Sequence, residues 1–321
     1  MTRSAPASGQ PLFDDRTVLG IVLMIGFCAT APLIDVASKL AAAALPVGQI
    51  TWARFVVQAV LMLPVCLMMR QALRFDPRLI GPLALRAVFL LVSTYCFVAA
   101  IRVMPIADAL AIVFVEPFIL LLLGRLLFGD EVGPRRIVAS VVGFAGALLV
   151  IRPSFAAFGP VALYPLGTAV SFAFYMLATR SLSRQMHPVP MQFHTSGLAA
   201  LLCVPVFGLA QIWPVADLAI LRPDGLLWLW LGLVGLASAV SHLLMSYALR
   251  FAPTATLAPL HYLEIVMAVL LGYLVFGDIP VLMTFVGMAV ITASGLYVFH
   301  RERLAEKRAA LEQLAVQGGP R

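Results

Sequence analysis

The sequence predicts an all-α polytopic membrane protein with ten transmembrane helices, arranged as two inverted repeats of five helices. Three observations predict this fold class. First, 62% of the 321 residues are hydrophobic, only 12% are charged and the mean hydropathy is +1.01, which is too apolar for a water-soluble globule. Second, apolar runs close to 20 residues in length recur along the chain. Third, one stretch of sequence returns 148 residues later.

The apolar runs define ten predicted spans, and the connections between them are too short for a soluble domain. Charges, prolines and glycines bound each run. The predicted spans cover residues 18–38, 47–69, 79–101, 105–128, 134–151, 159–179, 190–211, 225–249, 253–276 and 281–299.

The basic residues predict which side of the membrane each connection faces. With a cytoplasmic N-terminus, fifteen of the 22 Lys and Arg residues fall in cytoplasmic segments and four fall outside, while Arg54, Arg86 and Arg125 lie within spans. Such an excess is typical of cytoplasmic connections. We therefore predict a multi-pass protein of a bacterial-type inner membrane, in contact with the lipid bilayer, with both termini cytoplasmic. The net charge of +7 has the same explanation, so no nucleic-acid partner is expected.

The internal duplication is clearest between residues 102–130 and 250–278. A charged residue, a proline and a Phe-Gly-Asp triplet in one register are hard to obtain from composition alone. Because each repeat has an odd number of spans, the second repeat enters the membrane from the opposite side. The matched pairs are Arg102 and Arg250, Pro105 and Pro253, Glu116 and Glu264, Gly124 and Gly272, and Phe128-Gly129-Asp130 and Phe276-Gly277-Asp278.

The duplication divides the chain into four parts. Residues 1–16 are a predicted disordered cytoplasmic tail, 17–152 the first repeat, 153–300 the second repeat and 301–321 a cytoplasmic C-terminal tail.

The end of each repeat resembles a known domain. The pattern is Pro117, Gly124, Phe128-Gly129-Asp130-Glu131, Gly143 and Gly146 in the first repeat, and Gly272, Gly277-Asp278, Gly287 and Gly295 in the second. It resembles the end of an EamA domain, and two such domains over nearly the whole chain resemble the drug/metabolite transporter superfamily. The resemblance implies a secondary carrier that works by alternating access around a central cavity, without a bound nucleotide, metal or other cofactor.

A finer resemblance points to a branch that includes S-adenosylmethionine and riboflavin uptake carriers. It is carried by Asp35 and Lys39 in the first span and by Glu264 preceded by His261-Tyr262. It implies a small-molecule substrate such as a vitamin, an S-adenosylmethionine-like solute or an amino-acid-like solute. The second Gly-Asp lacks the Glu that follows the first, so the two motifs are not expected to have equal roles.

Glu116 is the single carboxylate in the middle of the run from Pro105 to Glu131, which we predict to be one membrane-spanning helix. At a rise of ~1.5 Å per residue, Glu116 lies roughly 16 Å beyond Pro105, about halfway across a ~30 Å hydrocarbon layer. An ionisable group at that depth faces a cavity or a partner. We predict that Glu116 and Glu264 contact the substrate or carry a coupling proton. The alternative is a structural role, in which each is neutral or paired with an arginine.

Three neighbours join this predicted site. His261 lies three residues before Glu264 and shares its helix face. Phe114 and Tyr262 each lie two residues before their glutamate, at equivalent repeat positions, and are candidates to stack on a planar substrate. The ordinary alternatives are hydrogen-bonded packing for the histidine and core packing for the two rings.

Charged residues near the outer ends of the first four spans form a candidate outer gate. Its members are Asp35, Lys39, Arg54, Arg102 and Asp108. Asp35 and Lys39 are four residues apart and can pair on one helix. The alternative is static pairing and snorkelling at the membrane interface.

Two other functional classes stay open on the sequence: an intramembrane enzyme, and a sensor or assembly protein without transport. The sequence has no HExxH, GxGD or GxSxG motif and no Gly-rich phosphate loop followed by Lys, which disfavours an enzyme or a nucleotide-driven pump. The duplicated carboxylates argue against the sensor. Protons as the coupling ion, and a monomer or a homodimer, also stay open.

Overall fold

The computed structural model describes residues 15–71, 73, 76–128, 134–182, 185–252, 257, 260, 262–294, 296–297, 300 and 304. Across these residues all regular structure is helical, since a helix in a bilayer satisfies its own backbone N–H and C=O groups. The helices are α1 (Asp15–Ala42), α2 (Val47–Met68), α3 (Ile80–Ile101), α4 (Ile106–Val113), α5 (Glu116–Phe128), α6 (Pro134–Phe158), α7 (Tyr164–Leu182), α8 (Pro188–Ile212), α9 (Leu226–Phe251), α10 (Leu263–Phe276) and α11 (Leu282–Ser294).

Six segments in the described part of the chain are long and apolar enough to cross a membrane, and α10 and α11 are shorter apolar helices. The protein is therefore a multi-pass membrane protein, while ten spans in two inverted repeats stay a prediction. The six segments are Thr17–Ala42, Val47–Met68, Pro77–Ile101, Val141–Thr179, Pro188–Ile212 and Leu226–Ala248.

The prediction of one continuous helix over residues 105–131 is wrong. α4 ends at Val113, a two-residue turn follows, and α5 begins at Glu116. Pro117 has no N–H to donate to the Val113 carbonyl, as a continuous helix would require. The N–H of Val115 instead bonds three residues back, at 3.2 Å, which is the tighter 3₁₀ spacing. The broken helix places Glu116 at a helix start.

In the second half of the chain, a helix also begins next to the matching glutamate. α10 begins at Leu263, so Glu264 lies in its first turn, as Glu116 does in α5. The S–H of Cys28 in α1 donates to the Leu260 carbonyl at 3.2 Å, just before α10. This contact packs α1 of the first half against the start of α10.

Contacts between the two halves come in matched pairs. α1 packs on α9 and α3 packs on α7; likewise α2 contacts α9 and α3 contacts α8. The predicted repeats match α1 with α7, α2 with α8 and α3 with α9. Replacing each helix by its match turns the α1–α9 contact into the α7–α3 contact, and the α2–α9 contact into the α8–α3 contact. This is the pattern expected of two copies related by a pseudo-two-fold axis.

The largest described hydrophobic cluster surrounds the break between α4 and α5. It includes Ile112 of α4, Val150 of α6, Ala268 of α10 and Ile291 of α11, all almost completely buried. A helix break at membrane depth is tolerated where protein, rather than lipid, surrounds it. The packing of α6, α10 and α11 supplies that enclosure.

α6 and α11 approach each other at glycines. A Cβ added to Gly287 would lie 2.3 Å from Cγ2 of Val150 and 2.8 Å from the carbonyl oxygen of Gly146. A Cβ added to Gly146 would lie 2.8 Å from Cγ1 of Val290. Because lipid gives no hydrophobic driving force between helices, such close van der Waals packing stabilises their association.

We expect Gly287→Ala to lower the free energy of unfolding by about 1–3 kcal/mol, because the added methyl group collides with backbone as well as side-chain atoms. Thermal unfolding of the detergent-purified protein measures the effect. The control is Gly208→Ala in α8, where an added Cβ meets nothing within 4 Å. Equal melting temperatures for the two variants would contradict the close contact of α6 and α11.

Candidate functional site

A cavity lies between the two halves of the chain. It is lined by residues of α1 to α5 from the first half and of α7, α9 and α10 from the second. It holds about 760 Å³ of empty space, including the part open to its surroundings. Its polar lining residues are Asp35, Arg54, Ser93, Thr94, Glu116, Thr168, His242 and Glu264.

The two predicted glutamates both line this cavity. Glu116 is 6% exposed and Glu264 is 8% exposed, so both carboxyl groups are almost removed from solvent and lipid. Each lies in the first turn of its helix, where the partial positive charge of the helix N-terminus favours a carboxylate. The folded chain thus directs two helix starts, one from each half, at one cavity.

The two predicted aromatic residues contact each other. The ring centroids of Phe114 and Tyr262 lie 5.4 Å apart with an interplanar angle of 32°. Phe114 lines the cavity, and the Tyr262 ring packs against the Phe114 ring. Because the two residues occupy equivalent repeat positions, their contact lies where the halves meet. The third predicted neighbour, His261, lies outside the described residues.

The five residues of the predicted outer gate do not form one network. Asp35 and Arg54 line the cavity. Lys39 pairs with a residue that the sequence did not suggest: its Nζ donates to Oδ2 of Asp278 at 2.8 Å and to the Met104 carbonyl at 3.2 Å. The described ion-pair partner of Lys39 is therefore in the second half of the chain, not four residues away on α1.

The other two residues of the predicted gate are Arg102 and Asp108. Arg102 forms a separate ion pair, with 2.6 Å between its Nη1 and Oδ1 of Asp217. Asp108 is buried and lies within electrostatic range of Lys39 and Asp278. Both ion pairs join the first half of the chain to the second.

The second Phe-Gly-Asp motif has a local structural explanation. Gly277 adopts a φ of +70°, which a glycine accepts without a steric penalty, and ends α10. The N–H groups of Gly277 and Asp278 bond to carbonyls in the last turn of the helix. This turn presents Asp278 to Lys39. The first copy of the Gly-Asp pair, at 129–130, lies outside the described residues.

Sequence reasoning missed a buried polar network beside the cavity. Arg54 donates from Nη1 to Oγ1 of Thr94 at 2.7 Å, and its Nη2 lies 2.8 Å from Nε2 of His242. The other imidazole nitrogen, Nδ1, lies 3.4 Å from the Tyr175 hydroxyl, which accepts a bond of 2.8 Å from Nη2 of Arg86. The network therefore runs from one buried arginine to another through His242.

Arg86 is completely buried, and its described acceptors are all hydroxyl groups. Nε donates to Thr179 at 2.8 Å, Nη1 donates to Thr195, and Nη2 donates to Tyr175. Its Cζ also lies 4.5 Å from the centre of the Tyr175 ring. Charge-assisted hydrogen bonds and a cation–π contact offset part of the cost of removing this cation from water.

The repeat register contains a signal for His242. A shift of 148 residues matches Ser93 with Ser241 and Thr94 with His242. Both members of the second pair contact Arg54. Arg86 has no such signal, because the equivalent position is Val234.

Known proteins resemble this chain in sequence. A riboflavin transporter of Rhizobium johnstonii is 31% identical over 225 residues, which cover 70% of this chain and 72% of the relative. An S-adenosylmethionine uptake transporter of Rickettsia felis is 24% identical over 224 residues, covering 70% and 73%. A pseudopaline exporter of Pseudomonas aeruginosa is 26% identical over 278 residues, covering 86% and 94%. These names indicate transporters rather than enzymes.

The fold and the family profile extend over nearly the whole chain. A solved crystal structure that is 17% identical matches 91% of this chain and 98% of its own, with a TM-score of 0.59, and so shares the fold. The profile of the EamA-like transporter family matches residues 18–152 and again 159–299. This double match confirms the resemblance to the drug/metabolite transporter superfamily, and the chain belongs to the EamA-like transporter family.

Proposed function

We propose that this protein is a secondary transporter that moves a small organic metabolite across the inner membrane by alternating access. One observation carries the proposal: Glu116 and Glu264, which match in the 148-residue register, each lie in the first turn of a helix and line one cavity between the halves, and the helix of Glu116 follows a break. Carriers built from inverted repeats bind their substrates at such helix breaks. The repeats would then pivot around this site.

The substrate class that we propose is a vitamin such as riboflavin, an S-adenosylmethionine-like solute or an amino-acid-like solute. The names of the relatives support it. So does the lining of the cavity, which combines carboxylates and a guanidinium with aromatic rings such as Phe114 and Phe172. The relatives include both uptake carriers and an exporter, so direction is not part of the proposal.

The ion pairs support the proposed topology of ten spans with both termini in the cytoplasm. Lys39, Arg102, Asp217 and Asp278 lie in or beside connections that this topology places outside, and they form two pairs with each other. The amide of Gln49 adds a link at this side, with bonds of 2.7 and 2.9 Å to the backbone of Leu221.

We propose that these links are the closed outer gate. The pair Lys39–Asp278 is partly shielded from solvent, with side-chain exposures of 17% and 27%, so it is less screened than a fully exposed pair. Opening the outer side separates the two halves at this point and breaks the pair. Asp108 is buried nearby and lies within electrostatic range of Lys39.

We expect Glu116→Gln and Glu264→Gln each to weaken substrate binding by about tenfold or more, because a hydrogen bond to a charged group contributes roughly 1.5–3 kcal/mol. The measurement is thermal stabilisation of the detergent-purified protein by riboflavin, S-adenosylmethionine and a set of amino acids.

Asp224→Asn, in the connection before α9, is the matched control and should bind as the unaltered chain does. A compound that stabilises the unaltered chain and both glutamine variants equally would place the substrate away from the two carboxylates. Uptake of the stabilising compound into vesicles then tests transport itself.

For the gate, we expect Lys39→Glu and Asp278→Lys each to open the outer side, because each puts like charges opposite one another. A cysteine at Phe97, which lines the cavity, reports opening through its rate of labelling by a membrane-impermeant maleimide in a chain whose native cysteines are replaced. The loss of ~1 kcal/mol from a partly buried pair corresponds to a labelling rate about fivefold higher.

The double variant Lys39→Glu/Asp278→Lys restores opposite charges and should return labelling toward the original rate. Equal labelling rates in both single variants and in the protein that keeps Lys39 and Asp278 would contradict a gating role for this pair.

A further inference from the structure

The imidazole of His242 lies between two guanidinium groups. Nε2 faces Nη2 of Arg54 at 2.8 Å, and Nδ1 faces the Tyr175 hydroxyl that Arg86 also contacts. His242 is 5% exposed and lines the cavity between the halves. It therefore combines burial with access to any water in the cavity.

The arginine determines the tautomer of this histidine. A guanidinium has five N–H donors and no acceptor, so Nε2 of His242 must accept the hydrogen bond from Arg54 and carries no proton. The single proton of the neutral imidazole then lies on Nδ1, directed at the Tyr175 oxygen. The structure thus contains a neutral histidine whose one available lone pair is occupied by Arg54.

A proton on Nε2 cannot coexist with this bond. Protonation would direct an imidazolium N–H at a guanidinium N–H, which replaces an attraction by repulsion between two cations in a medium of low dielectric constant. Arg54 must therefore leave Nε2 before His242 binds a proton. Its hydrogen bond to Thr94 and the 5.6 Å contact of its Cζ with the Phe55 ring centre do not prevent such a movement, because the side chain rotates about several bonds.

The surroundings determine where Arg54 moves. Its Nε is buried and has no hydrogen-bond partner among the described residues, so the group is incompletely satisfied in its present position. Asp35 of α1 lines the same cavity and lies within electrostatic range of Arg54. A guanidinium released from His242 therefore has the carboxyl group of Asp35 as an acceptor on the same cavity.

Every element around His242 contributes to its charge environment. The two cations, Arg54 of α2 and Arg86 of α3, oppose its protonation, while the carboxyl groups on the cavity favour it. The α8 neighbour is neutral: Gln192 donates to Oγ of Ser246, one turn from His242. The ionisable groups on the cavity or in the network are Asp35 (α1), Arg54 (α2), Arg86 (α3), Glu116 (α5), Tyr175 (α7) and Glu264 (α10).

We propose that Nε2 of His242 is a proton-binding site at which a proton and Arg54 exclude one another, so that proton uptake turns Arg54 toward Asp35. The proton comes from cavity water and stays on the imidazole, and the positive charge of Arg54 moves into the acidic part of the cavity. A cationic group of a substrate bound there is then displaced. The link to substrate movement rests on the proposed function; the competition at Nε2 does not.

The test is ¹⁵N NMR of histidine-labelled protein in lipid nanodiscs, without any solute, because the shift of an imidazole nitrogen distinguishes a bare atom from a protonated one. The chain has five histidines, and His242→Gln identifies the signal of interest. In the unaltered protein at neutral pH we expect a bare Nε2 and a protonated Nδ1. A protonated Nε2 would overturn the proposal without the need for any variant.

Arg54→Met removes the competitor and its charge while keeping a long side chain. We expect Nε2 to take up its proton at a proton concentration at least tenfold lower than in the unaltered protein. Arg54→Lys retains a donor and a charge and should keep Nε2 bare. If the methionine variant does not fold, the tautomer of the unaltered protein still tests the competition. Thr51→Val, on the same helix α2 but outside the cavity lining and the network, is the matched control and should titrate within twofold of the unaltered protein.

Asp35→Asn tests where Arg54 moves. It removes the acceptor for the released guanidinium, so proton uptake at His242 should need a proton concentration at least threefold higher. An unchanged titration in this variant would overturn the movement toward Asp35, and an unchanged titration in Arg54→Met would overturn the competition. Neither result depends on finding a substrate, so a failure here differs from a failure of the proposed transport function.

Discussion

The hydrocarbon layer offers no water to polar groups, and this constraint governs the centre of the molecule. The break between α4 and α5 exposes backbone groups that only surrounding protein can cover. α6, α10 and α11 enclose it, and the close contact between Gly146 and Gly287 lets α6 and α11 approach each other closely. Because that enclosure holds the break in place, Glu116 lies at a helix start on the cavity rather than midway along a continuous helix.

The same constraint applies to the buried cations. Arg54 and Arg86 have hydroxyl and imidazole partners, Thr94, Tyr175 and His242 among them, which come from α3, α7 and α9. Charge-assisted bonds to neutral groups satisfy donors without cancelling the charge. The positive charge of Arg54 therefore remains available to the cavity that it lines.

Duplication explains where the two halves meet, and departures from it identify the specialised positions. Phe114 and Tyr262 are equivalent and contact each other, and Arg54 contacts the equivalent pair Thr94 and His242. The second pair shows the departure, because one repeat supplies a hydroxyl and the other an imidazole that can bind a proton. A symmetric pair of threonines would hold Arg54 equally well but would offer no proton site.

Composition and the apolar runs by themselves determined a multi-pass helical protein, the glycine and Gly-Asp pattern carried the resemblance to its family, and the 148-residue register singled out Glu116, Glu264, Phe114 and Tyr262 as candidates. They could do so because membrane spans and duplicated motifs are properties of the chain along its length. Only the tertiary structure decided that the helix breaks before Glu116, that Lys39 pairs with Asp278 and that Arg86 reaches His242 through Tyr175. These contacts join helices far apart in sequence, and the packing of the helices, which periodicity does not encode, brings them together.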